Sequence, residues 1–129
     1  MDDPFVLHCC ELLAAAGPCR ARRMFGGWGL SVDGMNLAII AWDTLFLKTD
    51  ALTEPDFLAQ GCRPFVYEAK GKAMRLHYHT PPEEALDSPA LMAPWAQRAL
   101  AAALRAQAAK AKPAGTASKK RSSKKSKLS

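Results

Sequence analysis

The sequence predicts an α+β fold of five strands in two groups, in the order helix, three strands, helix, two strands, helix, followed by a disordered basic tail. Three observations lead there. Capped runs of helix-spaced apolar residues open and close the body of the chain. Glycine-bearing turns at Asp33-Gly34 and Lys70-Gly71-Lys72 each join two strand-like runs. Beyond Pro113 the composition changes abruptly to Lys, Ser, Ala and Gly.

Asp3 suits the cap of the first helix and Pro4 its first position, where no amide is needed. Phe5, Cys9, Leu12, Leu13 and Ala16 recur at helical spacing, and Gly17-Pro18 ends the run. Trp28, Leu30 and Val32 then alternate with Gly29, Ser31 and Asp33 as a half-buried strand does. Asp33-Gly34 fits a type I′ hairpin turn, which needs positive φ at both central residues. Met35–Trp42 is apolar almost throughout and reads as a return strand covered on both faces. Asp43-Thr44 is read as the next turn, and Leu45–Lys48 as the third strand.

Asp50 caps a short helical stretch through Phe57, Leu58 and Ala59 that Gly61 ends. Phe65–Glu68 and Met74–His79 form a second hairpin. Alternation sends Met74, Leu76 and Tyr78 one way and Arg75, His77 and His79 the other. Thr80-Pro81-Pro82-Glu83 has the form of a capping box and should open a short helix. Ser88-Pro89 caps the last helix, which carries Leu91, Trp95 and Ala99 on one side. Pro94 should delay its regular part.

The domain spans 1–105, a helix extension or linker 106–112, and a disordered tail 113–129. In the tail Leu128 alone is apolar and larger than Ala, too little burial to offset an ordering entropy of about 1–2 kcal/mol per residue. All 12 acidic residues precede position 105, beside nine bases, which leaves the body at about −3. The other nine bases start at Arg105 and make the remainder strongly positive. Attraction to nucleic acid is therefore expected of the tail, through Lys119, Lys120, Arg121, Lys124, Lys125 and Lys127, and should be weak and independent of base sequence.

No run of about 18 apolar residues is present, so no membrane span is expected. The acidic start, Met1-Asp2-Asp3-Pro4, does not read as a secretory signal, which points to a cytoplasmic protein. Cys9, Cys10, Cys19 and Cys62 lack CxxC spacing and read as reduced, packing thiols.

No cofactor, metal site or catalytic residue is expected. Phe25-Gly26-Gly27-Trp28-Gly29 is glycine-rich, but a strand follows it where a phosphate loop needs a helix N-terminus, so it reads as a bulge or close backbone approach. His77 and His79 share one strand face at a spacing that suits two metal ligands. A third would have to come from Cys62, Cys9 or His8, and an exposed histidine pair is the simpler reading. Glu83 and Glu84 complement a helix dipole. Arg20, Arg22 and Arg23 are a candidate anion patch beside the alternative of a solvated, charged approach to the strand.

The segments Arg22–Leu30, Val32-Asp33-Gly34, Asp43–Asp50 and Pro64–Tyr67, with Pro82-Glu83-Glu84 and Trp95–Ala99, together resemble the N-terminal domain of the TfoX/Sxy family, bacterial regulators of competence genes. The resemblance covers roughly residues 4–105. Its specific part is the block containing Arg23, Met24, Phe25, Gly26, Gly27 and Gly29. It implies a two-layer fold, an antiparallel five-stranded sheet with helices on one side. It also implies a regulatory role at competence promoters beside the cyclic-AMP receptor protein, with no catalytic residues. Full-length regulators of this family carry a second, C-terminal domain, whose place the Lys/Ser tail takes here, so the chain reads as a single-domain member. The His77-Tyr78-His79 segment departs from the family's expected aromatic and polar residues.

The resulting expectation is a non-enzymatic regulatory or adaptor protein that contacts the transcription machinery or another regulatory protein, with nonspecific nucleic-acid affinity in the tail. The rivals are a small nucleoid-associated protein acting through its tail, and a metal-binding protein or enzyme using His77 and His79. A homodimer is also expected, with Trp42 and Phe46 turned away from an Ile39/Leu47 side to form its contact.

Overall fold

The computed structural model describes residues 3–24 and 26–111. Helix α1 (Pro4–Leu12) tightens into a 3-10 turn at Leu13–Ala16. Four strands follow: β1 (Cys19–Met24), β2 (Gly27–Val32), β3 (Met35–Ala41) and β4 (Thr44–Lys48). Helix α2 (Glu54–Ala59), strands β5 (Pro64–Ala69) and β6 (Lys72–His79), a 3-10 turn at Glu83–Asp87 and helix α3 (Pro89–Ala111) complete the order. The strands form one antiparallel sheet in the order β1-β2-β3-β4-β6-β5.

The fold is α+β as expected, but the sheet has six strands rather than five. The extra one is β1, Cys-Arg-Ala-Arg-Arg-Met, which carries no alternating run of large apolar residues. It is an edge strand, where exposed charge is tolerated and hinders pairing with another chain. Its whole length pairs with β2, from Cys19 opposite Val32 to Met24 opposite Gly27.

Asp3 Oδ1 accepts the Phe5 amide, the expected cap. Val6, Cys9, Leu12 and Leu13 of the first helical segment meet Leu30, Val32, Leu37, Ala38, Ile40, Leu45 and Leu47 of the sheet. Phe57 from α2 and Met92, Ala96, Ala99 and Ala103 from α3 complete this main core. The alanines of α3 do more packing than their size suggests, because small side chains let the helix lie close to the sheet. Pro94 does not delay α3, which runs through it from Pro89. Ser88 Oγ accepts the Leu91 amide at its start, and the Arg98 guanidinium donates to the Pro94 carbonyl. The stretch 106–111 continues the same helix.

Three local features differ from the pattern expected of the sequence. Asp50 accepts the amides of Leu52 and Thr53, a turn ahead of α2. Thr80 does not build a capping box. Its Oγ1 accepts the Arg63 amide and ties the start of β5, and only a 3-10 turn follows. The turn between β3 and β4 is Trp42-Asp43, with φ of 52° and 57°, not Asp43-Thr44. Two positive φ values form the hairpin there without a glycine, at a cost of about 1–2 kcal/mol per residue.

That turn also corrects the expected facing. Ile39 stands opposite Phe46, and Ala38 opposite Leu47, so Ile39 and Phe46 share one face while Leu47 lies on the other. The residues facing away from the helices form a second, smaller cluster: Ile39, Phe46 and Phe65, with Met24, Ala41, Tyr67 and Tyr78 against them. No described helix contributes to it.

Candidate functional site

The helix-free face of the sheet is the most distinctive surface of the described residues. The cross-strand register lays it out in rows. Arg22, Gly29, Ile39 and Phe46 follow one another across β1 to β4. Arg20, Ser31 and Asn36 form the start of a second row, and Asn36 Nδ2 donates to the Tyr78 hydroxyl at 2.8 Å. Lys48 stands opposite Tyr78 and holds its ammonium 5.3 Å from the ring centroid. On the outer hairpin, Phe65 pairs with Leu76 and Tyr67 with Met74.

Aromatic edges hold the centre of this face. Phe46 and Phe65 meet edge to face at 5.0 Å between centroids, and Trp42 stacks on Phe65 at 5.2 Å. Such pairs contribute about 0.5–1.5 kcal/mol beyond their burial. The stack offsets part of the backbone cost at Trp42, whose indole is still 66% exposed. Met74 and Leu76 stand 43% and 38% exposed on the same face. These large side chains stand accessible, side by side, on a surface that no described helix covers.

The glycine-rich block is structural. A Cβ on Gly27 would lie 2.2 Å from the Ile40 carbonyl oxygen, so β2 and β3 approach too closely for any other residue. A Cβ on Gly29 would meet Met24 Sδ at 3.0 Å and Asn36 Oδ1 at 3.1 Å. Met24 thus lies across Gly29 and roofs that end of the open face. Gly26 has a φ of 77° in the β1–β2 turn. Phe25 lies outside the described residues.

Strand alternation divides the three arginines. Arg20 and Arg22 lie on the open face, whereas Arg23 stands opposite Trp28 on the helix side, with its guanidinium 5.4 Å from that ring. The tail residues Lys119, Lys120, Arg121, Lys124, Lys125 and Lys127 lie outside the described residues.

Arg75, His77 and His79 face the helix side. His79 is fully buried against Phe57. Its Nδ1 is 3.0 Å from Thr49 Oγ1 and its Nε2 is 3.2 Å from Glu54 Oε2. A carboxylate only accepts, so Nε2 carries the proton and the Thr49 hydroxyl donates to Nδ1. Arg75 donates to the same Glu54 carboxylate. Burial pushes the His79 pKa down and Glu54 pulls it up, the net direction being down, so the ring is neutral near pH 7. Both ring nitrogens thus have partners, and among the described residues no group of three or more His, Cys, Asp or Glu side chains could hold a metal. The sequence reading missed this Thr49–His79–Glu54 set, because its members come from three separate elements. The expected exposed pair is not what forms: His79 is fully buried, while His77 is exposed and lines a cleft with Asp50 and Arg105.

Arg105 grips Asp50 with two nitrogens, at 2.6 and 3.0 Å. That guanidinium holds the Asp50 pKa at about 2 and docks the far end of α3 onto the loop before α2. Burial raises the thiols of Cys9, to about 12, and of Cys19. Protonated thiols are poor nucleophiles and poor ligands.

These features define a two-layer α+β domain with one sheet face packed under helices and the other open, apolar and aromatic. The chain belongs to the TfoX N-terminal domain family, which matches residues 11–103. No curated protein matches it. No helix among the described residues is long and apolar enough to cross a membrane.

Proposed function

We propose that this protein is a non-enzymatic regulatory adaptor of the cytoplasm, assisting transcription regulation of the competence type through protein–protein contacts made by its open sheet face. The basic tail adds nonspecific affinity for nucleic acid. The observation that carries the reading is the exposure of Trp42, Met74 and Leu76 together on a face that no described helix covers. The family membership supports the regulatory role. The charge division supports the tail's part, since a chain segment rich in Lys and free of acid attracts phosphate backbones.

The test is recovery of native partners by the full chain and by a chain lacking 113–129. A transcription factor or RNA polymerase recovered by both supports the adaptor. Recovery of DNA alone, and only with the tail, supports the second reading, a nucleoid-associated protein, which the same charge division favours.

A further inference from the structure

The charges on the open face are all of one sign. Arg20 and Arg22 lie on it by their register with Ser31 and Gly29, and Lys48 by its seat over Tyr78. Lys72 joins them, two residues before Met74 on the same side of β6. The strands contain one acidic residue, Glu68, and it stands between Tyr67 and Ala69 on the opposite face. The other described acids lie in helices, turns and loops. Ion pairing follows the same division. Arg75, Arg98 and Arg105 on the helix side meet Glu54, Asp56 and Asp50. Among the described residues, none of the four open-face cations has such a partner.

We propose that the open face binds a protein segment that combines acidic side chains with aliphatic or aromatic anchors. This rests on the adaptor reading and names the chemistry of its partner. The cations frame the apolar belt. Arg20 and Arg22 stand on the β1 edge, Lys72 at the tip of the outer hairpin, and Lys48 beside the centre. Across six strands the face spans about 24 Å, the length of about seven extended residues. A segment laid across it would set anchors against Trp42, Met74 and Leu76 and carboxylates against the flanking Arg and Lys. Opposite charges at such a rim steer the encounter and reject basic partners.

Two other occupants fit less well. A second copy related by a twofold axis would bring a face of cations against itself, with no strand carboxylate to meet them. Single-stranded nucleic acid would suit the charge, but it also needs free ring faces to stack on. Phe46 and Phe65 are buried against each other, and Lys48 covers Tyr78. The exposed groups beside Trp42 are aliphatic.

The experiment is a selection from a random peptide display library on the full-length protein, with counter-selection against the full-length Met74→Ser/Leu76→Ser variant. Both carry the same tail, so tail binders are removed. Both substitutions are at exposed positions, and matching thermal unfolding verifies the fold. The expected consensus joins Asp or Glu to Leu, Phe or Trp. Synthetic peptides of that consensus should shift the amide resonances of β4 to β6 and lose affinity about tenfold on Arg22→Glu or Lys72→Glu. Face-dependent peptides that are neutral or basic would overturn the charge inference and leave the adaptor reading intact. Enrichment of no face-dependent peptide would overturn this proposal. The adaptor reading would fall as well only if native partners were also insensitive to the two serine substitutions. Shifts of the same resonances by oligo-dT that persist without 113–129, or on raising the concentration of the protein alone, would assign the face to nucleic acid or to a second copy.

Discussion

Alanine substitutions along the glycine block separate a packing role from a ligand-binding one. The Gly27 Cβ would sit 2.2 Å from a backbone carbonyl of the neighbouring strand, so relief requires β2 and β3 to move apart. Overpacking typically costs about 1–3 kcal/mol, and a backbone obstacle places Gly27→Ala at about 3 kcal/mol or above. For a domain near 100 residues each kcal/mol lowers the melting temperature by about 4–5 °C, so a fall on the order of 12–15 °C is expected. At Gly29 the obstacles are the Met24 thioether and the Asn36 amide, which can swing away, so Gly29→Ala should cost about 1 kcal/mol. Shortening Met24 to Ala should then erase much of that cost, because contacting residues couple. Gly26 faces open space, and only its positive φ penalises alanine, by about 1 kcal/mol. Thermal unfolding by circular dichroism, checked by urea titration, reads all three. A Gly27→Ala variant no less stable than Gly29→Ala would show that the β2–β3 approach does not require glycine. A Gly27→Ala variant that keeps full stability yet loses binding of a phosphate-bearing ligand would assign the block a ligand-binding role instead.

The buried His79 predicts a pH dependence. Its folded pKa lies below the ordinary 6.5, so between the two values the unfolded chain holds a proton the folded chain does not. Stability should therefore fall as pH drops through 6.5, and His79→Gln should flatten that slope in urea titrations. Asp50, held at about 2, adds stability that is present above its ordinary 3.8 and lost as pH falls through 2. Arg105→Gln should return the Asp50 carboxyl toward its ordinary value in a carbon-detected NMR titration. Deleting 113–129 should abolish nearly all duplex binding, whose log K in the full chain should fall with log salt by about 0.9 per phosphate contact. A truncated chain that still preferred one duplex to its scrambled counterpart would contradict this.

Much of the fold was legible because local and tertiary preferences agree. Asp33-Gly34 and Lys70-Gly71 are hairpin turns with positive φ at both residues, as their composition indicates. Asp3-Pro4 and Ser88-Pro89 begin helices for the capping reasons given. What escaped was decided by tertiary context. β1 is a strand because β2 offers it a full ladder, while its own residues are mostly charged. Trp42 belongs to a turn because stacking on Phe65, distant in sequence, helps hold a backbone conformation tryptophan rarely adopts. The sidedness of Met74, Leu76 and Tyr78 was readable from alternation, yet their union with Phe46, Phe65 and Trp42 required the strand order, with β6 rather than β5 beside β4. The Arg20/Arg22/Arg23 run shows the same limit, since adjacency in sequence becomes opposition across a strand.

If the protein works as an adaptor through its open sheet face, co-purification from the cells that express it should recover a partner held by that face. Wild type, the chain lacking 113–129 and the Met74→Ser/Leu76→Ser variant would be compared for retention of the same native protein partner. The partner should stay with the first two and be lost from the third, while all three unfold at similar temperatures. A partner held equally by the face variant, or held only when the tail is present, would rule out an adaptor role for the open face.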